Sequence, residues 1–122
     1  MISDMKRKTI RQHNDFFTPR DCISGRSDYF TVKTKTAKYV NDPRYGIVVT
    51  KRYFKLAVDR NRAKRVLRDW IANNEHLMVK DLDYIIIANK EICTVTRDEG
   101  RDLMAKVFKK IAKVYELQNE QK

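Results

Sequence analysis

The chain of 122 residues is long enough for one domain whose folding buries roughly two-thirds of the unfolded surface. Its 42% hydrophobic content excludes wholesale disorder, and 27 lysines and arginines against 16 acidic residues favour nucleic acid as the partner, before an acidic membrane surface. No apolar stretch suits a signal peptide or a membrane span, so the sequence predicts a soluble, cytoplasmic protein. Cys22, Cys93, His13 and His76 are scattered, and they form neither a disulfide framework nor a metal-binding spacing.

The first part of the chain is predicted to contain one short helix. Residues 1–8 are predicted as a flexible basic arm. Residues 9–17 are predicted as a helix that begins at Thr9 and that Pro19 stops early. The following segment is predicted as a loop with Gly25 as a turn residue.

Three strands are predicted after this loop. Residues 29–40 alternate and are rich in threonine, valine and aromatic residues, which is typical of a half-buried strand. Residues 41–43 turn the chain, and a second strand follows at 45–51. The unbroken apolar run in residues 83–88 predicts a third strand that is buried on both faces.

Two amphipathic helices complete the predicted domain, which spans residues 9–118, with 119–122 as a flexible tail. The apolar stripe of the first consists of Ala63, Val66, Leu67, Trp70 and Ile71. The second begins with the capping-box pattern of Thr96 and Glu99, and its stripe consists of Leu103, Met104, Val107, Phe108, Ile111, Val114 and Tyr115. The predicted class is α+β: a small α-β sandwich with a mostly antiparallel central sheet and the order α-β-β-(β)-α-β-α.

The first of these helices is unusually basic, with five cations in the nine positions from 60 to 68. At about 100° per residue, the cations opposite the apolar stripe are Arg62, Lys64, Arg65 and Arg68. Arg60 lies at the edge of the stripe, and Asn61 lies among the cations. Only Asp69 is placed to neutralise one of them, through an i, i+4 pair with Arg65. So much like charge predicts phosphate binding, to which the planar guanidinium is well suited.

The absence of several common nucleic-acid-binding motifs limits the type of nucleic acid that the chain is expected to bind. It has no zinc finger, basic zipper or RNP1 motif, and strand-like residues occupy the place that a helix-turn-helix needs for its first helix. The aromatic residues Phe16, Phe17, Tyr29 and Phe30 lie near the cations Arg11, Arg26, Lys33 and Lys35. Aromatic residues beside cations can stack on unpaired bases, although each ring alone is equally typical of a core or a strand surface.

The segment "GIVVTKRYFKLAVDRNRAKRVLRDW" resembles the signature of the bacterial ribonuclease P protein family. That signature has a glycine and a short strand, a basic pair, and then R-N-R-x-K-R-x-x-R on a helix. The matching residues here are Lys51 and Arg52 for the basic pair, and Arg60, Asn61, Arg62, Lys64, Arg65 and Arg68 for the helix. Weaker similarities extend over about residues 9–115.

The resemblance implies an α-β sandwich with a left-handed βαβ crossover that works with a large catalytic RNA. Together they remove the 5′ leader of precursor tRNA, and the RNA holds the active site and most of the Mg²⁺. The implied partners are this RNA and precursor tRNA, with no DNA and no membrane. No catalytic residue or metal ligand is expected in the protein itself.

The resemblance also implies two sets of binding residues. The residues matched in the signature dock on the catalytic RNA. The leader lies in a cleft between the first helix and the sheet, and its expected contacts are Phe16, Phe17, Tyr29, Thr31 and Lys33. Phe17 or Ile23 is expected to replace the second aromatic residue of the family's cleft, because Arg20 stands in its place.

Two other functions are compatible with parts of the sequence. A ribosomal or other structural RNA-binding protein shares the charge and the basic helix, and only the ordered set of motifs argues against it. A protein-only nuclease needs its own acid, base and metal ligands. The candidates are His13 and His76 as an acid–base pair and Asp81 with Asp83 as cation ligands, although a turn is the simpler role for the two aspartates.

Overall fold

The computed structural model describes residues 9–10, 16–39 and 43–120. Four strands and two long helices make up this part of the chain. In chain order they are β1 (Ser24–Arg26), β2 (Phe30–Thr36), β3 (Tyr45–Val48), α1 (Ala57–Asn73), β4 (Leu82–Ala88) and α2 (Arg97–Glu120). Two short 3-10 turns, at Glu75–Leu77 and Ile92–Thr94, precede β4 and α2.

The strands form one sheet in the order β1-β2-β4-β3. The pairs β1–β2 and β2–β4 are antiparallel, whereas β3 and β4 are parallel neighbours. Helix α1 connects these two parallel strands, as a parallel pair requires. The expected α+β sandwich with a mostly antiparallel sheet and a βαβ crossover is therefore confirmed.

Both helices pack against one face of the sheet. Alternate residues of β2 and β4 point toward them, and the shared core contains Phe30, Val32, Tyr84, Ile86, Leu67, Trp70, Met104, Phe108 and Ile111. The helical stripes predicted from the sequence are the buried faces of α1 and α2. Strand β4 is buried on both faces over almost its whole length, as its unbroken apolar run predicts.

The two helices approach closely where Trp70 lies against Gly100. A Cβ atom at Gly100 would lie 2.0 Å from the indole Cε2 and Cζ2 atoms, so only glycine admits the ring at this point.

An ion pair also connects the two helices. Both carboxylate oxygens of Asp69 accept hydrogen bonds from the Arg101 guanidinium, at 2.8 and 3.0 Å. This bond lowers the pKa of Asp69. The predicted pairing of Asp69 with Arg65 is therefore wrong, because the carboxylate ties α1 to α2 instead.

Several local predictions also change. Gly25 lies in β1, paired with Val32, rather than in a turn. Thr9 forms a parallel bridge with Tyr45, so the chain is extended where the first helix was expected to begin. The predictions for 1–8, 11–15, 40–42 and 121–122 lie outside the described residues. Helix α2 continues through positions 119 and 120 of the predicted tail.

Candidate RNA-binding surface

The basic residues of α1 point in two directions. Arg62 and Arg65 are exposed on the outer side of the helix, which we call the outer basic face. Lys64 and Arg68 instead lie on the edge that borders β3 and the N-terminal segment. Within the part of the chain that the structure describes, none of these four side chains forms an ion pair. Cations this close along one helix repel one another, and an anion that contacts them relieves the repulsion.

The second pair of cations lines a cleft of about 370 Å³. The lining residues are Thr9, Ile10, Phe16, Tyr45, Gly46, Ile47, Lys64 and Arg68. The cleft thus combines an aromatic ring with two cations in one concave surface. A ring can stack on an unpaired base, while lysine and arginine bind the phosphates that flank it.

Gly46 determines how closely Phe16 approaches the sheet. A Cβ atom at Gly46 would lie 2.5 Å from Cε1 of Phe16 and 3.1 Å from Cβ of Ile10, so a side chain at this position would displace the ring. The N–H of Ile10 donates to the carbonyl oxygen of Tyr45 at 2.8 Å, which attaches the N-terminal segment to β3. The glycine of the sequence signature therefore has a steric function in the cleft.

The outer residues of β2 lie on the same face of the sheet as this cleft. Lys33 and Gly46 both pair with Ile85 of β4, so the three residues form one row across the sheet. Two strand spacings, or about 10 Å, separate the ends of such a row. Lys33 is exposed and Thr31 is half-buried on this face, away from the helices.

The other expected leader contacts lie elsewhere. Tyr29 precedes β2, is half-buried and packs against the core. Ile23 also packs against the core. Phe17 is 63% exposed and does not line the cleft. Of the expected aromatic contacts, Phe16 is the one that the structure brings together with the cations of α1.

The basic pair of the signature lies on a turn that is attached to α1. Lys51 and Arg52 are exposed there, and Phe54 is buried behind them. The Nη1 of Arg60 donates to the carbonyl oxygens of Phe54 and Lys55, at 2.8 and 3.0 Å. Arg60 therefore holds the turn against the helix, a structural role that its position at the edge of the apolar stripe could have indicated.

The acidic residues of the rival nuclease hypothesis are engaged in structural contacts. Asp83 is fully buried, and its carboxylate accepts bonds from the Nε and Nη2 of Arg44, at 3.2 and 2.8 Å. Asp81 accepts a bond from the hydroxyl of Tyr115 at 3.0 Å. In the described ranges, no three His, Cys, Asp or Glu side chains are grouped as a metal site. These carboxylates consequently fit a structural role better than a metal-binding one.

Among the described residues, neither His76 nor the two cysteines line the cleft. His76 is exposed on the 3-10 turn between α1 and β4, while His13 lies outside the described residues. Cys22 and Cys93 are half-buried free thiols, and burial raises the pKa of Cys93. None of the described helices is long and apolar enough to cross a membrane.

The comparisons with known proteins agree with this architecture. The family model for ribonuclease P matches residues 5–112. The ribonuclease P protein component of Vibrio campbellii is 32% identical over 87 residues, which are 71% of this chain and 72% of that protein.

Two solved structures share the fold. The RNase P protein of Staphylococcus aureus has a TM-score of 0.69 at 27% identity, covering 85% of this chain and 94% of that one. The RNase P protein of Thermotoga maritima has a TM-score of 0.63 at 26% identity, covering 83% and 98%. With its basic helix, its crossover sheet and a family match over most of its length, this chain belongs to the ribonuclease P protein family.

Proposed function

We propose that this chain is the cytoplasmic protein subunit of ribonuclease P, in which it binds the catalytic RNA and the 5′ leader of precursor tRNA. The observation that carries this proposal is the cleft that Phe16, Lys64 and Arg68 line together. An aromatic ring and two cations suit a single strand, whose bases are free to stack and whose phosphates are accessible. A double helix keeps its bases stacked on one another and offers the ring no such face.

Because the basic residues of α1 point in two directions, they contact two different RNAs. The outer basic face of Arg62 and Arg65, together with Asn61 and the turn of Lys51 and Arg52, docks on the catalytic RNA. The cleft receives the leader, and Lys64 and Arg68 hold its phosphates at the boundary between the two surfaces. A leader that leaves the cleft along the row from Gly46 to Lys33 meets a further cation about 10 Å away.

The catalytic RNA holds the Mg²⁺ ions of the reaction. Metal-assisted phosphodiester hydrolysis needs clustered ligands, normally carboxylates, that hold the ions against the scissile phosphate. The buried and interhelical carboxylates of this chain are bound to arginines, as in the pairs Asp83–Arg44 and Asp69–Arg101. The described residues do not fit a Mg²⁺ site, and the positive field of the chain repels the ion while it attracts both RNAs.

Reconstitution tests this division of labour. We expect the purified chain to cleave no precursor tRNA at any Mg²⁺ concentration, and to promote cleavage at one position once the catalytic RNA of its own organism is added. High salt and high Mg²⁺ should make the protein progressively dispensable, because both screen the repulsion between the two RNAs. Gel analysis of 5′-labelled precursor measures the cleavage. Activity of the RNA-free chain that disappeared in a His76→Ala variant would favour the protein-only nuclease, and binding without any stimulation of cleavage would favour a structural RNA-binding protein.

Replacing Phe16 tests the leader cleft. Phe16→Ala should weaken the preference for precursor over mature tRNA, because only the precursor has leader bases that stack on the ring. One stacked base contributes about 1–3 kcal/mol, so the expected loss is roughly 5- to 150-fold. The measurement compares the affinities of the reconstituted particle for the two tRNAs.

Two further substitutions separate stacking from packing at this position. Phe16→Leu keeps an apolar side chain over Gly46 and should weaken the preference as Phe16→Ala does, whereas Phe16→Tyr should retain it. If Phe16→Leu discriminated as well as the unmodified protein, the ring would be a packing element only and the assignment of the cleft to the leader would be wrong.

A further inference from the structure

The segment that leads into α1 and the first turn of that helix expose three apolar side chains in a basic region. Tyr53, Leu56 and Val58 are 45%, 64% and 73% exposed, and we call these three residues the apolar patch. They lie within six consecutive positions, and the cations Lys51, Arg52 and Lys55 lie between or beside them. Exposed apolar side chains that are close together in sequence and lie among cations are candidates for an interaction site.

The patch is held in place from behind. Phe54 is buried, and its N–H donates to the carbonyl oxygen of Thr50 at 3.0 Å. Arg60 binds the carbonyl oxygens of Phe54 and Lys55. The carbonyl oxygen of Leu56 accepts the N–H groups of Asp59 and Arg60, both at 3.1 Å, and so starts the helix. A ligand that binds here therefore meets a preorganised surface, which reduces the entropy lost on binding.

The side chains in and beside the patch are suited to bind an unpaired nucleobase. The guanidinium carbon of Arg52 lies 5.8 Å from the centroid of the Tyr53 ring, so a planar cation and an aromatic ring are adjacent. Both groups stack on bases, and the surrounding cations attract the phosphates on either side of the base.

A second copy of the chain is less suited than an RNA to cover the apolar patch. Two copies that met through this patch would bring their exposed Lys51, Arg52 and Lys55 together, at a cost in like-charge repulsion. An RNA instead neutralises these cations as it covers the apolar side chains.

We propose that the apolar patch receives an unpaired base of the catalytic RNA, which stacks on Tyr53 while Leu56 and Val58 cover its edge. This contact adds a base-dependent element to a surface that otherwise binds phosphates. It rests on the proposed docking of this end of α1 on the catalytic RNA. It extends the RNA contact to residues that are not among the matched positions of the signature.

The test measures the affinity of the chain for the catalytic RNA of its own organism over a series of salt concentrations. Tyr53→Ala should lower the affinity roughly 5- to 150-fold without changing the dependence on salt, because stacking releases no counterions. Tyr53→Phe should bind like the unmodified protein. Tyr39→Ala is the matched control, since Tyr39 is 44% exposed and also has a guanidinium, that of Arg44, 5.3 Å from its centroid. This control should leave the affinity unchanged.

Chemical probing of the RNA in the complex identifies the base. At least one unpaired base should be protected by the unmodified protein and by Tyr53→Phe, and should become reactive with Tyr53→Ala. Unchanged affinity of Tyr53→Ala, an equal loss in Tyr39→Ala, or a dimer that Leu56→Lys dissociates would overturn the proposal. A separate variant tests the proposed docking of α1 on the catalytic RNA. If an Arg62→Glu, Arg65→Glu double variant bound this RNA with normal affinity, the docking proposal itself would be wrong.

Discussion

Replacing Arg62 and Arg65 together with glutamate should abolish most of the affinity for the catalytic RNA while the protein remains folded. Both side chains are exposed and neither forms an ion pair with another described residue, so their replacement breaks no described ion pair of the fold. Each charged hydrogen bond to a phosphate contributes about 1.5–3 kcal/mol, and the absence of two corresponds to roughly a hundredfold weaker binding or more. Introduced repulsion between glutamate and phosphate weakens the binding further.

Filter binding at several salt concentrations measures the effect. The logarithmic slope of affinity against salt should become shallower by about 0.9 for each phosphate that the variant no longer binds, a figure for duplex DNA that serves as a guide. Exposed Lys109 and Lys110 of α2 provide the control, because their replacement by glutamate changes the net charge equally at a distant position on another helix. Equally weak binding by the two double variants would show that affinity depends on total charge and not on the outer basic face.

The comparison with Lys64→Glu, Arg68→Glu separates the two surfaces of α1. This double variant carries the same change in charge on the same helix, but at the edge that lines the cleft. We expect it to lose more of the preference for precursor over mature tRNA than the Arg62, Arg65 variant does. If both variants changed docking and discrimination in the same proportion, the basic residues would act as one surface.

Removing the charge of Asp83 should destabilise the fold severely. Its carboxylate is fully buried, and it accepts bonds from the backbone N–H of Arg44 at 2.9 Å and from the guanidinium of the same residue. Asp83→Asn keeps the shape of the side chain but removes the negative charge from its buried ion pair with Arg44. Breaking a buried ion pair in this way costs about 3–5 kcal/mol.

Urea denaturation followed by circular dichroism measures this free energy of unfolding. Replacing both partners, as Arg44→Met with Asp83→Leu, should recover part of the stability, because apolar side chains then replace the whole buried ion pair. The Mg²⁺ concentration needed for cleavage should be the same in any Asp83 variant that still folds. A stable Asp83→Asn protein whose cleavage required much more Mg²⁺ would instead support a metal-binding role for this carboxylate.

The sequence by itself determined the parts of this protein that depend on relations within one element. The positions of Ala63, Leu67 and Trp70 define one face of α1, and the cations must then lie on the remaining faces. The length and continuity of the apolar run at β4 likewise indicate a strand without a solvent-exposed face. Such relations follow from the regular geometry of a helix or strand, which is the same wherever the element is placed.

The tertiary structure decided which elements meet. Asp69 has Arg65 one turn away on its own helix, yet it binds Arg101, because the packing of α1 on α2 brings that guanidinium to both carboxylate oxygens. Residues in Ser24–Arg26 become a strand because β2 offers them an edge, although their own composition indicates a turn.

The cleft depends on the tertiary structure most of all. Periodicity places Lys64 and Arg68 away from the core, but it cannot place Phe16 beside them. That contact requires the N-terminal segment to cross Gly46 of β3, which the crossover holds against the edge of α1. The positions of the cations outside the core could therefore be predicted from the spacing of residues along one helix. Their division between the outer basic face and the cleft arises only when three segments that are distant in sequence pack together.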